Sequence, residues 1–221
     1  MVVTSPISHR RTVLALLLLT FATGLVDAIS VLLLGRVFVA NMTGNAIFLG
    51  FVFVPGTGFD LAGAAVAVCG FLAGVILGGR LVRRFGHRPR MWVTTALGVE
   101  VVLLLVLAGL AGAGVLRYAD ATRGILTAGL AVAFGLQNST ARQFGVQELY
   151  TTVLTSTIVG IGVDSRLAGG TGQRAKLRYS VVATMIAGAV VGATLTRYFV
   201  APIIAMAAAL VTASLLLFRH G

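Results

Sequence analysis

The chain has 221 residues, of which 58% are hydrophobic and only 10% charged, with a mean hydropathy of +1.02. Soluble domains carry about 25% charged residues, so this chain has too little polar surface to cover a globule and needs lipid as its solvent. The net charge of +11 would suggest nucleic acid for a soluble protein. Here the basic residues fall in gaps between apolar blocks, where orientation signals belong, so lipid is the expected partner and nucleic acid is not.

The apolar blocks run over 12–35, 37–54, 61–82, 91–116, 124–142, 146–163, 180–197 and 199–218. Several reach the roughly 17–25 residues that a helix needs to cross hydrocarbon. None shows the strict alternation of a barrel strand. The expected class is an all-α, polytopic transmembrane protein.

In the first block, Arg10 and Arg11 precede an apolar run that imitates a signal peptide, but the same run carries Asp27 and one copy of a repeat. It is therefore read as a retained span. An ionisable group at bilayer depth costs about 2.5–3.5 kcal/mol, which makes Asp27 a functional candidate. Asp27 is the expected coupling carboxylate, with a structural Asp bonded to serine or threonine, or paired with an arginine, as the alternative.

The second block holds Asn41, Thr43 and Asn45 around Gly44. Amides and a hydroxyl there can line a pathway or stitch a tight turn within the membrane. In the third block Gly70, Gly74 and Gly78 recur at every fourth position, a flat strip for close helix packing. The fourth block contains Glu100, expected either to act in coupling or to pair with Arg80 or Arg142.

The fifth block carries Asn138 and, one turn on, Arg142. The sixth carries Thr155, Ser156 and Thr157, and the seventh repeats the small-residue spacing at Gly188 and Gly192. The two glycine strips fit packing within the chain or a homodimer. The eighth block is rich in Ala and Leu, has no charge before Arg219, and reads as a lipid-facing wall. Cys69 lies inside an apolar block and has no second cysteine to pair with. His9, His87 and His220 lie in termini and loops, so no intramembrane metal site, cofactor site or catalytic constellation is expected.

The first half returns in the second. Gly24 and Asp27 recur as Gly135 and Asn138 at a spacing of 111, and Thr43 and Gly50 as Thr155 and Gly162 at 112. Two repeats are expected, 1–118 and 119–221, within one membrane domain. Lys and Arg gather at the N-terminus, at 83–90, at 165–180 and at Arg219. Eight crossings would split these sites between the two faces. If 37–54 and 146–163 instead enter and leave on one side, six crossings remain and all four sites face the cytoplasm. Three crossings per half make the second half upside down, an inverted 3+3 repeat with two re-entrant or broken-helix segments.

The stretches Gly24-Leu25-Val26-Asp27-Ala28-Ile29-Ser30 and Val37-Phe38-Val39-Ala40-Asn41-Met42-Thr43-Gly44-Asn45 closely resemble the YoaK family of bacterial membrane proteins. Gly135 to Thr140 and Thr151 to Thr157 fit the same family, and the resemblance covers nearly the whole chain. Ser156 departs from it, since the family pattern more often has glycine there. The family is of unknown function. The resemblance implies a protein of the bacterial cytoplasmic membrane with about six spans, and no substrate.

Together these features lead to the expectation of a small transporter or channel-like permease for a small polar solute or ion, with both termini cytoplasmic. Its pathway would be lined by Asp27, Asn41, Thr43, Asn45, Asn138, Thr155 and Thr157. The rival expectation is a membrane scaffold or partner subunit with a dry polar core.

Overall fold

The structure is a computed structural model that describes residues 5–54, 56, 58–118, 121–144, 154–198 and 200–220. Of the positions singled out in the sequence, Gly145, Thr151 and Thr152 lie outside the described residues. Eight α-helices account for most of the described chain: α1 (His9–Leu33), α2 (Met42–Gly50), α3 (Leu61–Phe85), α4 (Pro89–Gly112), α5 (Arg123–Ala141), α6 (Leu154–Val163), α7 (Ala175–Leu195) and α8 (Ala201–His220). Five of them, α1, α3, α4, α7 and α8, are long and apolar enough to cross a membrane. The 19-residue α5 is a sixth candidate, diluted in hydropathy by Arg123, Gln137 and Asn138. The helices α2 and α6 are shorter, with 9 and 10 residues.

Local chemistry sets the helix boundaries. At Gly35 and Arg36 the chain turns with φ of +93° and +60°, a left-handed conformation that a helix cannot continue. Asp60 caps α3, its Oδ1 accepting from the Gly63 N–H at 2.8 Å. The ring of Pro89 opens α4 at the position where a missing N–H is harmless. Thr122 closes the turn before α5: its Oγ1 accepts from the Arg117 N–H at 2.7 Å.

Small residues determine how the long helices pack. A Cβ on Gly70, Gly74 or Gly78 would collide with Ala128, Val132 or Ser139 of α5. The partners advance together, so α3 and α5 run parallel in close backbone contact. In the same way Gly188 and Gly192 of α7 face Phe21 and Leu25 of α1, again in parallel. Gly24 and Gly135 complete these contacts from the other side, against Met185 and Phe71 respectively. The order reverses between α4 and α8, where Gly98 faces Leu215 and Gly112 faces Ala201, so these two are antiparallel.

Two further packings close the bundle, α8 against α1 and α5 against α4. The eighth block is therefore no lipid-facing wall. Its Ile203, Ile204, Ala207, Ala208, Val211, Ser214 and Phe218 are buried. Small side chains there admit close neighbours, and a charge-free sequence does not distinguish lipid from protein as the apolar surroundings.

The chain between α1 and α3 leaves and comes back at one point. The Asp60 N–H donates to the Gly35 carbonyl at 3.4 Å, and a Cβ on Gly35 would strike the Asp60 side chain. The helix α2 packs on α3 within this excursion. Phe48 stacks on Phe59 with ring centroids 4.3 Å apart and covers it. In the second half α6 packs on α7, where Arg178 donates to the Gly160 carbonyl at 2.7 Å and pairs with Asp164.

Candidate functional site

Asp27 is buried in α1, six residues before its last residue, a rise of about 9 Å along the axis. The extended segment that follows the Gly35–Arg36 turn folds back to this level. Asp27 Oδ1 accepts from the backbone N–H groups of Val39 and Ala40, each at 2.9 Å, and Oδ2 accepts from Asn41 Nδ2 at 2.5 Å. Three donors on a buried carboxylate fix the segment against α1. Val39 and Ala40 cannot join a helix or strand ladder here, and without Asp27 their buried N–H groups would be unpaired.

Asn45 finishes the turn. Its Oδ1 accepts from the Phe38 N–H at 2.8 Å and its Nδ2 donates to the Phe38 carbonyl at 2.6 Å. The amide takes the place of a backbone partner for Phe38, and it does so fully buried. Asp27, Asn41 and Asn45 thus form one latch that delivers the N-terminus of α2 into the bundle. Thr43, on the same turn of α2, is exposed.

A second polar group lies across the bundle. Gln137 of α5 donates through Nε2 to Glu100 Oε1 of α4 at 2.7 Å. Its Oε1 lies 3.0 Å from Thr23 Oγ1 of α1, whose hydroxyl proton is shared with the Leu19 carbonyl at 2.9 Å. All three side chains are fully buried. Among the described residues Glu100 Oε2 has no hydrogen-bond partner, and neither do the buried Ser214 Oγ and Trp92 Nε1. Thr23 stands one helical turn before Asp27, so the two polar groups share α1.

Of the remaining predicted site residues, Asn138 is buried and donates to the Phe134 carbonyl at 2.9 Å. Thr157 is buried in α6 while Thr155 is exposed. Arg142 is exposed just beyond the end of α5. The partners that the structure gives both acids are amides, where the sequence suggested a hydroxyl or an arginine for Asp27 and Arg80 or Arg142 for Glu100. The described ion pairs are Arg123–Asp60 at 2.6 Å and Arg178–Asp164, both at helix ends. The structure brings Asp27, Asn41 and Asn45 together and joins Glu100 to Gln137 and Thr23, two residues that had no assigned role. Among the described residues no three His, Cys, Asp or Glu side chains cluster as a metal set.

A bundle of long apolar helices with buried polar bonds between them defines a multi-pass helical membrane protein. Its residues 15–217 match the family described as "Protein of unknown function (DUF1275)". The chain is also similar to the UPF0700 transmembrane protein YoaK of Bacillus subtilis (strain 168), at 34% identity over 160 residues, covering 71% of this chain and 68% of that one. The protein belongs to this DUF1275/YoaK family. No solved structure matches it.

Proposed function

We propose that the protein is a small transporter or channel-like permease, without enzymatic activity, that moves a small polar solute or ion where the halves 1–118 and 119–221 meet. The observation that carries this reading is the buried set Thr23–Gln137–Glu100, which links α1, α5 and α4 and leaves one carboxylate oxygen open. A core built only for stability gains nothing from an incompletely bonded acid at bilayer depth.

An inverted 3+3 repeat accounts for the packing. Exchanging α1 with α5, α2 with α6, α3 with α7 and α4 with α8 turns each main packing into another. The α1–α7 pair becomes α5–α3, α1–α8 becomes α5–α4, α2–α3 becomes α6–α7, and α4–α8 maps onto itself. With α1, α3, α4, α5, α7 and α8 as six alternating crossings, α2 and α6 are re-entrant from opposite faces. This is the architecture on which alternating access operates.

Of the 17 Lys and Arg residues, only Arg36, Arg117, Arg123 and Arg197 fall at the end where α1 finishes. The other end, with both termini, is then cytoplasmic in a bacterial inner membrane. The glycine strips are occupied within the chain, so a homodimer would use another face.

In the described conformation Asp27, Asn45, Gln137 and Glu100 are all buried, as in an occluded state. The same burial favours the second reading, a scaffold with a dry polar core. Thr23→Cys in a Cys69→Ala background separates the two. Reaction with a membrane-impermeant thiol reagent from either face is the outcome expected of a transporter. Complete protection from both faces over hours would replace it with the scaffold.

A further inference from the structure

The two intramembrane acids are in opposite chemical situations. Asp27 accepts three N–H bonds from the segment 39–41, so Oδ1 is used in holding the backbone of Val39 and Ala40 and Oδ2 in holding the Asn41 side chain. Glu100 receives one bond, from Gln137, and its Oε2 is buried with none. A carboxylate oxygen sealed from water needs a partner, and the described residues supply none.

At the same level on the neighbouring α8 lies a second unsatisfied group. The antiparallel contacts Gly98–Leu215 and Gly112–Ala201 put Ser214 level with residue 99, about 1.5 Å along the bundle from Glu100. Ser214 Oγ is fully buried and has no partner among the described residues. Two adjacent helices thus each contribute a buried, unpaired oxygen at one depth, where α4 crosses α8.

We propose that Glu100 and Ser214 form the site of an exchangeable monovalent cation, either a proton or a sodium ion, held between Glu100 Oε2 and Ser214 Oγ. Asp27 is then a fastening for the segment before α2 and takes no part in cation exchange. Either cation supplies the electropositive partner that both oxygens lack, with Gln137 and Thr23 fixing the orientation of the carboxyl.

The elements packed around Glu100 bring no competing charge. Asp27 on α1 is engaged as described. Arg123 stands about 21 Å along α5 from Gln137 and pairs with Asp60. Arg80, Arg83 and Arg84 of α3, Arg90 of α4, and Arg219 and His220 of α8 are all exposed.

The proposal deepens the transport reading, but its test is binding to the purified full-length protein, so lack of flux and lack of binding are separate results. Infrared difference spectra across a pH titration report a carboxylic-acid carbonyl band. Melting temperature in sodium chloride against choline chloride reports sodium. For a proton, we expect a band that Asp27→Asn retains and that adding Glu100→Gln to that variant abolishes. For sodium, we expect a sodium-specific rise in melting temperature that is lost in Glu100→Gln. Should Glu100→Gln fail to fold, Ser214→Ala keeps the carboxyl. It should shift the titration of the band, or raise the half-saturating sodium concentration by about ten-fold, the value of one hydrogen bond to a charged group. The proposal is overturned if wild type shows neither response, if the sodium response survives in Glu100→Gln or the band survives Glu100→Gln in the Asp27→Asn background, if either is lost in Asp27→Asn alone, or if Ser214→Ala leaves it unchanged.

Discussion

Replacing Asp27 with alanine tests whether this residue holds the chain between α1 and α2 in place. The substitution strips acceptors from two buried backbone donors, the N–H groups of Val39 and Ala40, and from Asn41 Nδ2. Each buried backbone donor left unpaired costs about 1–3 kcal/mol, so the two together disfavour the docked segment by roughly 2–6 kcal/mol. The loss is expected to be local because Gly70, Gly74 and Gly78, which seat α3 on α5, meet Ala128, Val132 and Ser139 and no residue of the latch. Hydrogen–deuterium exchange read by mass spectrometry should show residues 37–41 exchanging at least about thirty-fold faster, the lower end of that range, with α3 and α5 unchanged. Asp27→Asn should be milder for the backbone pair, since one oxygen remains, but it sets Nδ2 against Asn41 Nδ2, two donors face to face. The double variant Asp27→Asn with Asn41→Asp restores a donor–acceptor pair and should recover protection. Unchanged exchange at Val39 and Ala40 in Asp27→Ala, or no recovery in the double variant, would refute the latch.

Gly74→Ala drives a Cβ into the Val132 carbonyl of α5 and should cost about 1–3 kcal/mol as overpacking, seen as a lower melting temperature in detergent. Gly109→Ala, in α4 with open space around it, should be neutral or stabilising by about 0.5–1 kcal/mol; equal effects of the two would discredit the packing argument. Arg178→Ala removes the bond to the Gly160 carbonyl and the pair with Asp164. A cysteine at Gly162, which has open space around it, in a Cys69→Ala background should then react with thiol reagents several-fold faster than with Arg178 intact, and an unchanged rate would mean that Arg178 does not hold α6 in place.

The apolar blocks were legible because bilayer thickness imposes a length that composition alone reveals. The glycine spacing was legible too, since Gly70, Gly74 and Gly78 share a helix face whatever their partner. Polar partners were harder to read. Asn41 and Asn45 announced a turn needing side-chain acceptors and donors, yet nothing local pointed to Asp27 as the group that holds it, because the return at Gly35–Arg36 decides which residues meet. Glu100 stood out as an acid in an aliphatic run. Its partner Gln137 sits 37 positions away on another helix, and one sequence contains no signal for that pairing. Thr23 was hidden for a further reason, since a threonine that bonds to its own helix is indistinguishable from one that reaches across.

The interleaving of the long helices also bears on how the chain is made. Within the first four helices, contacts run mainly from α2 to α3 and more weakly from α3 to α4, whereas α1, α3 and α4 find their main partners in α7, α5 and α8. A ribosome that has delivered residues up to Gly112 has therefore placed in the bilayer a set of helices whose matching surfaces do not yet exist. The glycine strip of α3 and the carboxyl of Glu100 must wait, facing lipid or an insertion chaperone, until α5 arrives, and α1 waits longer still for α7. Assembly of this protein is consequently a late event in its synthesis, and a chain terminated at its midpoint is a natural target for membrane quality control.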